Sequence, residues 1–113
     1  MDAALITPDG TRRPGDEESI RQLLTAGAPF WLDLQGRGKD TSPFLRDLFG
    51  FHPLAVEDAE QFGQRPKVED FGDYVLLIMY GASGTGPHGV VEVHCFYSEH
   101  YLVTVHHVPC HPL

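Results

Sequence analysis

The first half of the chain alternates short apolar runs with stretches in which apolar residues recur every three to four positions. A short apolar run favours a buried strand, whereas the wider spacing is typical of an amphipathic helix. Glycine and proline clusters between these stretches predict turns. In chain order we predict a strand at residues 3–7, a helix bounded by residues 16 and 27, a strand at 30–34, a second helix bounded by 41 and 50, and a third at 52–59.

The residue types at the ends of the first two helices support these boundaries. Asp16 is a residue type that caps helix N-termini, and Gly27 and Gly50 are of the type that ends helices. Thr41 or Ser42 is expected to cap the second helix in the same way as Asp16 caps the first.

The second half of the chain has the alternating pattern of strands. We predict strands at residues 68–71, 73–80, 90–97 and 101–107, with the glycine-rich stretch 81–89 as a hairpin connection. The resulting order is β-α-β-α-α-β-β-β-β, which indicates an α/β fold with one mixed β-sheet flanked by helices. Trp31 and Leu77 are predicted to lie on central strands and to pack beneath the helices.

Length and charge limit the possible functions. The 113 residues fit a single domain, and the net charge of −8 argues against a nucleic-acid partner, because phosphate neutralisation needs clustered lysine and arginine. The N-terminus lacks the basic and apolar segments of a signal peptide. The apolar run at residues 75–80 is far shorter than the ~20 residues that span a bilayer.

Catalytic motifs are missing from the sequence. It contains no G-x-S-x-G, H-E-x-x-H or C-x-x-C pattern, and the glycine-rich stretch 81–89 lacks the Lys-Ser/Thr pair of a phosphate-binding loop. We therefore expect no catalytic residues, and we expect that the chain is not an enzyme.

Histidine and cysteine side chains are concentrated near the C-terminus and suggest one possible metal site. Zn²⁺ prefers such ligands, but the spacing matches no standard zinc finger, and His94 and Cys95 are expected on opposite faces of one strand. A soluble metal-binding protein that uses this cluster is the alternative function. Its members are His94, Cys95, His100, His106, His107, Cys110 and His111.

Three carboxylates near the end of the third helix suggest a second possible site. Glu57 and Asp58 are adjacent on the helix and point about 100° apart, so one chain cannot chelate a cation well with both, and Asp58 with Glu60 is no better placed. From spacing alone, a solvated helix end is the favoured explanation of these residues. One carboxylate at a domain edge could still bind a hard cation if a second subunit supplied further ligands.

Five segments in order and spacing resemble the N-terminal cytoplasmic domain of the CorA family of divalent-cation transporters. F-G-F-H-P-L-A-V-E-D and Q-R-P-K-V-E are the most specific pieces, and the resemblance covers roughly residues 31–106. The matching segments are residues 31–34, 48–58, 64–71, 73–74 and 101–106.

The resemblance implies an α/β/α sandwich in a homopentameric inner-membrane channel for Mg²⁺, or for Co²⁺, Ni²⁺ or Zn²⁺ in related members. In that family a long stalk helix, two transmembrane helices and a Gly-Met-Asn signature follow the cytoplasmic domain. The sequence ends at Leu113, before these parts. We therefore interpret residues 1–113 as a fragment, a single cytoplasmic regulatory domain that contributes to gating, does not conduct ions and is monomeric or weakly dimeric alone.

The resemblance also assigns a role to Asp58. In the family, the acidic residue that ends the H-P-L-x-x-E-D helix lies at a subunit boundary, where a divalent cation separates it from a carboxylate of the neighbouring stalk. Carried onto this chain, Asp58 would supply half of a regulatory Mg²⁺ site. Binding of Mg²⁺ to the isolated domain should be weak, since one carboxylate displaces little of the ion's hydration shell.

Overall fold

The computed structural model describes residues 2–82 and 89–107 of the chain. The described residues contain three α-helices, seven strands and one π-helical segment at Phe44–Leu48. The strands are β1 (Asp2–Ile6), β2 (Arg12–Pro14), β3 (Phe30–Gln35), β4 (Lys67–Asp70), β5 (Val75–Ala82), β6 (Val90–Tyr97) and β7 (Tyr101–His106). The helices are α1 (Glu17–Ala26), α2 (Gly38–Pro43) and α3 (Pro53–Glu60).

The described strands form one mixed sheet in the order β2-β1-β3-β7-β6-β5-β4. The β3–β7 pair is parallel, and the other neighbouring strands run antiparallel. This arrangement confirms the predicted α/β fold with a mixed sheet and helices packed against it. The structure adds the short strand β2, which the polar Arg12–Pro14 sequence did not indicate.

Some of the predicted helix-capping residues are found at the observed helix ends, and others are not. The Asp16 carboxylate accepts a hydrogen bond from the Ser19 amide, and Gly27 and Gly50 adopt positive φ angles of 66° and 67°, as predicted. The predicted cap at Thr41 or Ser42 is wrong, because α2 begins at Gly38 and both hydroxyls lie inside it. The Ser42 hydroxyl oxygen is 2.6 Å from the carbonyl oxygen of Gly38.

A π-helical segment follows α2 at Pro43. Proline has no backbone N–H and interrupts the regular helical hydrogen bonds, so the next turn widens and Phe49 donates to the carbonyl of Phe44. The buried side chain in this segment is Leu45, which joins the main core.

The main core lies between the helices and one face of the sheet. Strands β1, β3, β5, β6 and β7 supply alternate apolar side chains to it, and α1, the π-helical segment and α3 cover them. Its buried members are Leu5, Ile20, Phe30, Leu32, Leu34, Leu45, Phe51, Ala55, Val56, Ala59, Leu76, Phe96, Val103 and Val105.

Trp31 and Leu77 lie on the opposite face of the sheet, so the prediction that they pack beneath the helices is wrong. Side chains alternate along a strand, and the neighbours Leu32 and Leu76 are the ones that enter the main core. Leu77 packs instead against a smaller cluster of Val91, Val93 and Cys95. Trp31 donates from its indole nitrogen to the Thr104 hydroxyl at 2.8 Å.

This assignment of faces predicts different costs for two adjacent substitutions. Leu77→Ala should lower the free energy of unfolding by about 1–2 kcal/mol, because Leu77 is only half-buried, whereas Leu76→Ala should lower it by about 2–5 kcal/mol. Urea unfolding of the two variants measures the difference. Equal losses would contradict the assignment of faces.

No described helix is both long and apolar enough to cross a membrane.

Candidate functional site

Asp58 lies in the last turn of helix α3. His52 caps the helix by accepting a hydrogen bond from the Leu54 amide at its Nδ1 atom, and Pro53 occupies the first turn, where no N–H is needed. Ala55 and Ala59 are buried in the core on one side of α3. Asp58 precedes Ala59 and is half-buried, so part of its carboxylate faces solvent.

The connection from α3 to β4, residues 61–66, is held by hydrogen bonds at its middle, residues 63 and 64. The side-chain amide of Gln64 donates to the carbonyls of Asp58 and Gln61, each at 2.7 Å. The backbone amides of Gly63 and Gln64 donate to Oε1 of Glu92 at 2.6 and 3.1 Å. These contacts fix the path of the chain between the end of α3 and the first residue of β4.

Asp58 and Lys67 form an ion pair across this connection. Lys67 Nζ lies 2.9 Å from Oδ2 of Asp58 and 3.7 Å from Oε2 of Glu69. The hydrogen bond to Asp58 is the main reason that the pKa of Lys67 is raised, and the charges of Asp58 and Glu69 add to it. The side chains of Asp58 and Lys67 are 30% and 37% exposed, so solvent and ions can reach the pair.

A buried Glu92–His94 pair lies beneath the connection. His94 Nε2 is 2.5 Å from Oε2 of Glu92, and its Nδ1 is 3.2 Å from the carbonyl oxygen of Ala59. A carbonyl and an ionised carboxylate can both only accept, so both ring nitrogens of His94 donate in these contacts. Burial raises the pKa of Glu92, but the hydrogen bonds from His94 and the Gly63 amide outweigh it, and the pKa is lowered.

The three carboxylates of the predicted group do not converge. Glu57 is exposed, Asp58 turns to Lys67, and Glu60 turns to Ser42, whose hydroxyl oxygen lies 2.5 Å from Oε1 of Glu60. Helices α2 and α3 come close together at Gly38. A Cβ atom added to Gly38 would lie only 2.9 Å from the Cα atom of Glu60. Glu57 therefore fits the prediction of a solvated helix end, whereas Asp58 and Glu60 each contact a specific side chain.

The histidines and cysteines described by the structure do not form a cluster either. His94 faces α3, and Cys95 lies on the opposite face of the sheet, as expected. His106 Nε2 lies 3.0 Å from both carboxylate oxygens of Asp33, and His107 contacts the ring of Phe62. His100 is exposed in the β6–β7 turn, whereas Cys110 and His111 lie outside the described residues.

The donor set around Asp58 fits part of a magnesium site. Within residues 2–82 and 89–107, no group of three or more His, Cys, Asp or Glu side chains is arranged to hold a metal ion. A half-exposed carboxylate is the ligand type that Mg²⁺ prefers, and Mg²⁺ commonly keeps several waters. Among the described residues of this region, Asp58 is the carboxylate at the end of α3 that has both a fixed partner, Lys67, and access to solvent.

Sequence reasoning did not identify Lys67, Glu92 or His94 as parts of this region. Glu92 and His94 are two polar residues at alternate positions of an otherwise apolar strand, so they share one face. That spacing is a signal for a buried pair, although it does not indicate the partner element. Nothing in the local sequence pairs Lys67 with Asp58, nine residues earlier.

Residues 27–113 match the sequence profile of the family described as CorA-like Mg²⁺ transporter protein. A candidate metal ion transporter of Bacillus subtilis, YfjQ, is 36% identical over 77 residues, which cover 68% of this chain and 24% of the relative. The cobalt/magnesium transport protein CorA of Thermotoga maritima is 35% identical over 65 residues, which cover 57% of this chain and 18% of the relative. These relatives are named as transporters and not as enzymes.

The fold has a solved counterpart. The soluble domain of CorA from Methanocaldococcus jannaschii has a TM-score of 0.66 with 16% sequence identity, over 96% of this chain and 41% of that one. The chain spans about a quarter or less of the length of the two sequence relatives. The match of the family profile covers most of the chain, and the chain belongs to the family of CorA-like Mg²⁺ transporter proteins.

Proposed function

We propose that this chain is a cytoplasmic regulatory domain of a CorA-like divalent-cation transporter and that it contributes to gating without itself conducting ions. The observation that supports this function best is the half-exposed carboxylate of Asp58 at the end of α3, held at a fixed position beside the 61–66 connection. The transported substrate is a divalent metal ion, since the named relatives carry metal ions, cobalt or magnesium.

The proposed assembly is a homopentamer at the inner membrane, with this domain on the cytoplasmic face and residues 1–113 acting as one regulatory unit. In this assembly Asp58 would lie near a carboxylate of a neighbouring subunit. A bound divalent cation would supply the positive charge that removes the repulsion between the two carboxylates. Asp58 contributes the oxygen ligand, and the hydrogen bonds of the Gln64 amide keep the end of α3 in place.

The isolated chain should bind Mg²⁺ weakly. One half-exposed carboxylate replaces only a small part of the ion's hydration shell, and Lys67 already neutralises Asp58. The Zn²⁺ cluster of histidines and cysteines is not part of this proposal, because the described members lie apart. Sub-micromolar Mg²⁺ binding by the isolated chain would contradict the proposed half-site.

Substitution of Asp58 tests the regulatory role. In a transporter assembled from chains that contain this domain, Asp58→Ala should weaken closure by internal Mg²⁺, because the cation loses one ligand of the site. The fold should persist with a loss of about 1 kcal/mol or less, the range of an exposed ion pair. Ion flux at graded internal Mg²⁺ concentrations measures the first effect, and thermal unfolding measures the second.

Glu57→Ala is the matched control. It removes the same charge from the neighbouring position on α3, but Glu57 is exposed and has no place in the proposed site. Its Mg²⁺ sensitivity should equal that of the unmodified transporter. If Asp58→Ala also leaves Mg²⁺ sensitivity unchanged, Asp58 is not a regulatory ligand.

A further inference from the structure

We infer that Lys67 competes with the cation for Asp58. When no divalent ion is bound, the Lys67 ammonium pairs with the Asp58 carboxylate, and this pairing raises the cation concentration that is needed for binding. This inference rests on the proposed role of Asp58 as a cation ligand. It assigns to Lys67 a function in tuning affinity, in addition to any contribution to stability.

The first support is the geometry of the pair. Lys67 Nζ lies at hydrogen-bonding distance, 2.9 Å, from Oδ2 of Asp58. A divalent cation bound to this carboxylate would meet the ammonium charge at close range, and like charges repel strongly at such distances. The ammonium group must therefore move away, or the cation binds more weakly.

The second support is the backbone structure that positions Lys67 beside Asp58. Lys67 is the first residue of β4 and pairs with Ile78 of β5, so its backbone is part of the sheet. The preceding connection is tied to Glu92 and to the end of α3 through Gly63 and Gln64. Both ends of the ion pair are thus anchored, which gives the ammonium a high effective concentration at the carboxylate.

The third support is a second carboxylate within reach of the lysine. A lysine side chain is positively charged throughout the physiological range and needs an anionic or polar partner. Oε2 of Glu69 lies 3.7 Å from the ammonium and offers it an alternative partner. Lys67 can therefore exchange Asp58 for Glu69 when a cation arrives, without entering an apolar environment.

Titration of the 113-residue chain with MgCl₂ at constant ionic strength tests this inference. Amide chemical shifts around residue 58 report binding. Lys67→Met should lower the Mg²⁺ concentration at half-saturation by roughly two- to fivefold, the range expected when an exposed ion pair no longer competes. Lys67→Arg preserves the charge and should change the midpoint little.

Arg65→Met is the matched control for net charge. Arg65 is exposed in the same connection, so its removal changes the long-range potential equally. The inference is supported if Lys67→Met shifts the midpoint clearly more than Arg65→Met does. It is overturned if the two variants have the same midpoint.

Asp58→Asn separates the two proposals. If it abolishes the shifts while Lys67→Met and Arg65→Met behave alike, Asp58 is a ligand and only the role of Lys67 is refuted. If the shifts persist in Asp58→Asn, the proposed ligand is wrong, and the inference about Lys67 fails with it. Circular dichroism of each variant verifies that the comparison concerns folded protein.

Discussion

Replacing Glu92 with alanine is expected to lower the free energy of unfolding by about 3–5 kcal/mol, the range for removing one partner of a buried ion pair. Glu92 accepts hydrogen bonds from the Gly63 and Gln64 amides and contacts His94 Nε2 at 2.5 Å. Its loss leaves the buried His94 ring and the two backbone amides without their acceptor and opens space beneath the connection. Urea unfolding at neutral pH measures the effect.

Glu69→Ala provides the comparison for this first result. Glu69 is an exposed carboxylate on β4, and its removal should change the stability by about 1 kcal/mol or less. If Glu92→Ala costs no more than Glu69→Ala, the Glu92–His94 pair does not hold the connection in place.

The pH dependence of stability provides a second measurement on the same residue. The pKa of Glu92 is lowered in the folded state, so its contribution is present above the ordinary value of 4.5 and is lost as the pH falls through the folded value. Between roughly pH 6 and about pH 3 the unmodified chain should therefore lose more stability than Glu92→Gln. Parallel pH profiles for the two proteins would contradict the lowered pKa.

The sequence was sufficient to predict features that depend on neighbouring residues. The Asp16 cap and the positive φ angles of Gly27 and Gly50 follow from local backbone chemistry, and the structure confirms them. Strand β2 could not be predicted, because Arg12–Pro14 is polar and is defined by its pairing with β1. The buried hydroxyl of Ser42 depends likewise on α3, an element distant in sequence.

The face assignment of the sheet illustrates the same limit. Alternation in β5 separates Leu76 from Leu77, but it does not indicate which of the two faces the helices cover. The prediction that Leu77 and Trp31 pack beneath the helices chooses the wrong face, and the structure places both residues on the other one. Only the packing of α1 and α3 onto the sheet resolves this ambiguity.

The candidate site was predicted in part for the same reason. Asp58 could be identified through the resemblance of the H-P-L-A-V-E-D segment, and its role remains a prediction. Its contact with Lys67 depends on the folded path of residues 61–66, which in turn depends on Glu92 of a strand far along the chain. Long-range contacts of this kind leave only weak signals in a single sequence.

Phe51→Ala is expected to have the other large effect, a loss of about 3–5 kcal/mol in the free energy of unfolding. Phe51 is 4% exposed and follows the π-helical segment, at the point where the chain turns toward α3. Its ring is stacked on Phe96 with centroids 4.3 Å apart and lies 4.6 Å from the ring of Tyr74. Alanine would leave a cavity between the sheet and the helices that these rings cannot close.

Two further variants identify the origin of this loss. Phe51→Leu keeps most of the side-chain volume, so its loss in free energy of unfolding should be clearly smaller than that of Phe51→Ala. Phe49→Ala removes a half-buried ring from the edge of the same cluster, and its loss should lie between those two values. Urea unfolding at one temperature ranks all three. If Phe51→Ala were the mildest, the stacking on Phe96 would not connect the segment before α3 to the sheet, and α3 with Asp58 would be positioned by its own buried residues and by the 61–66 connection.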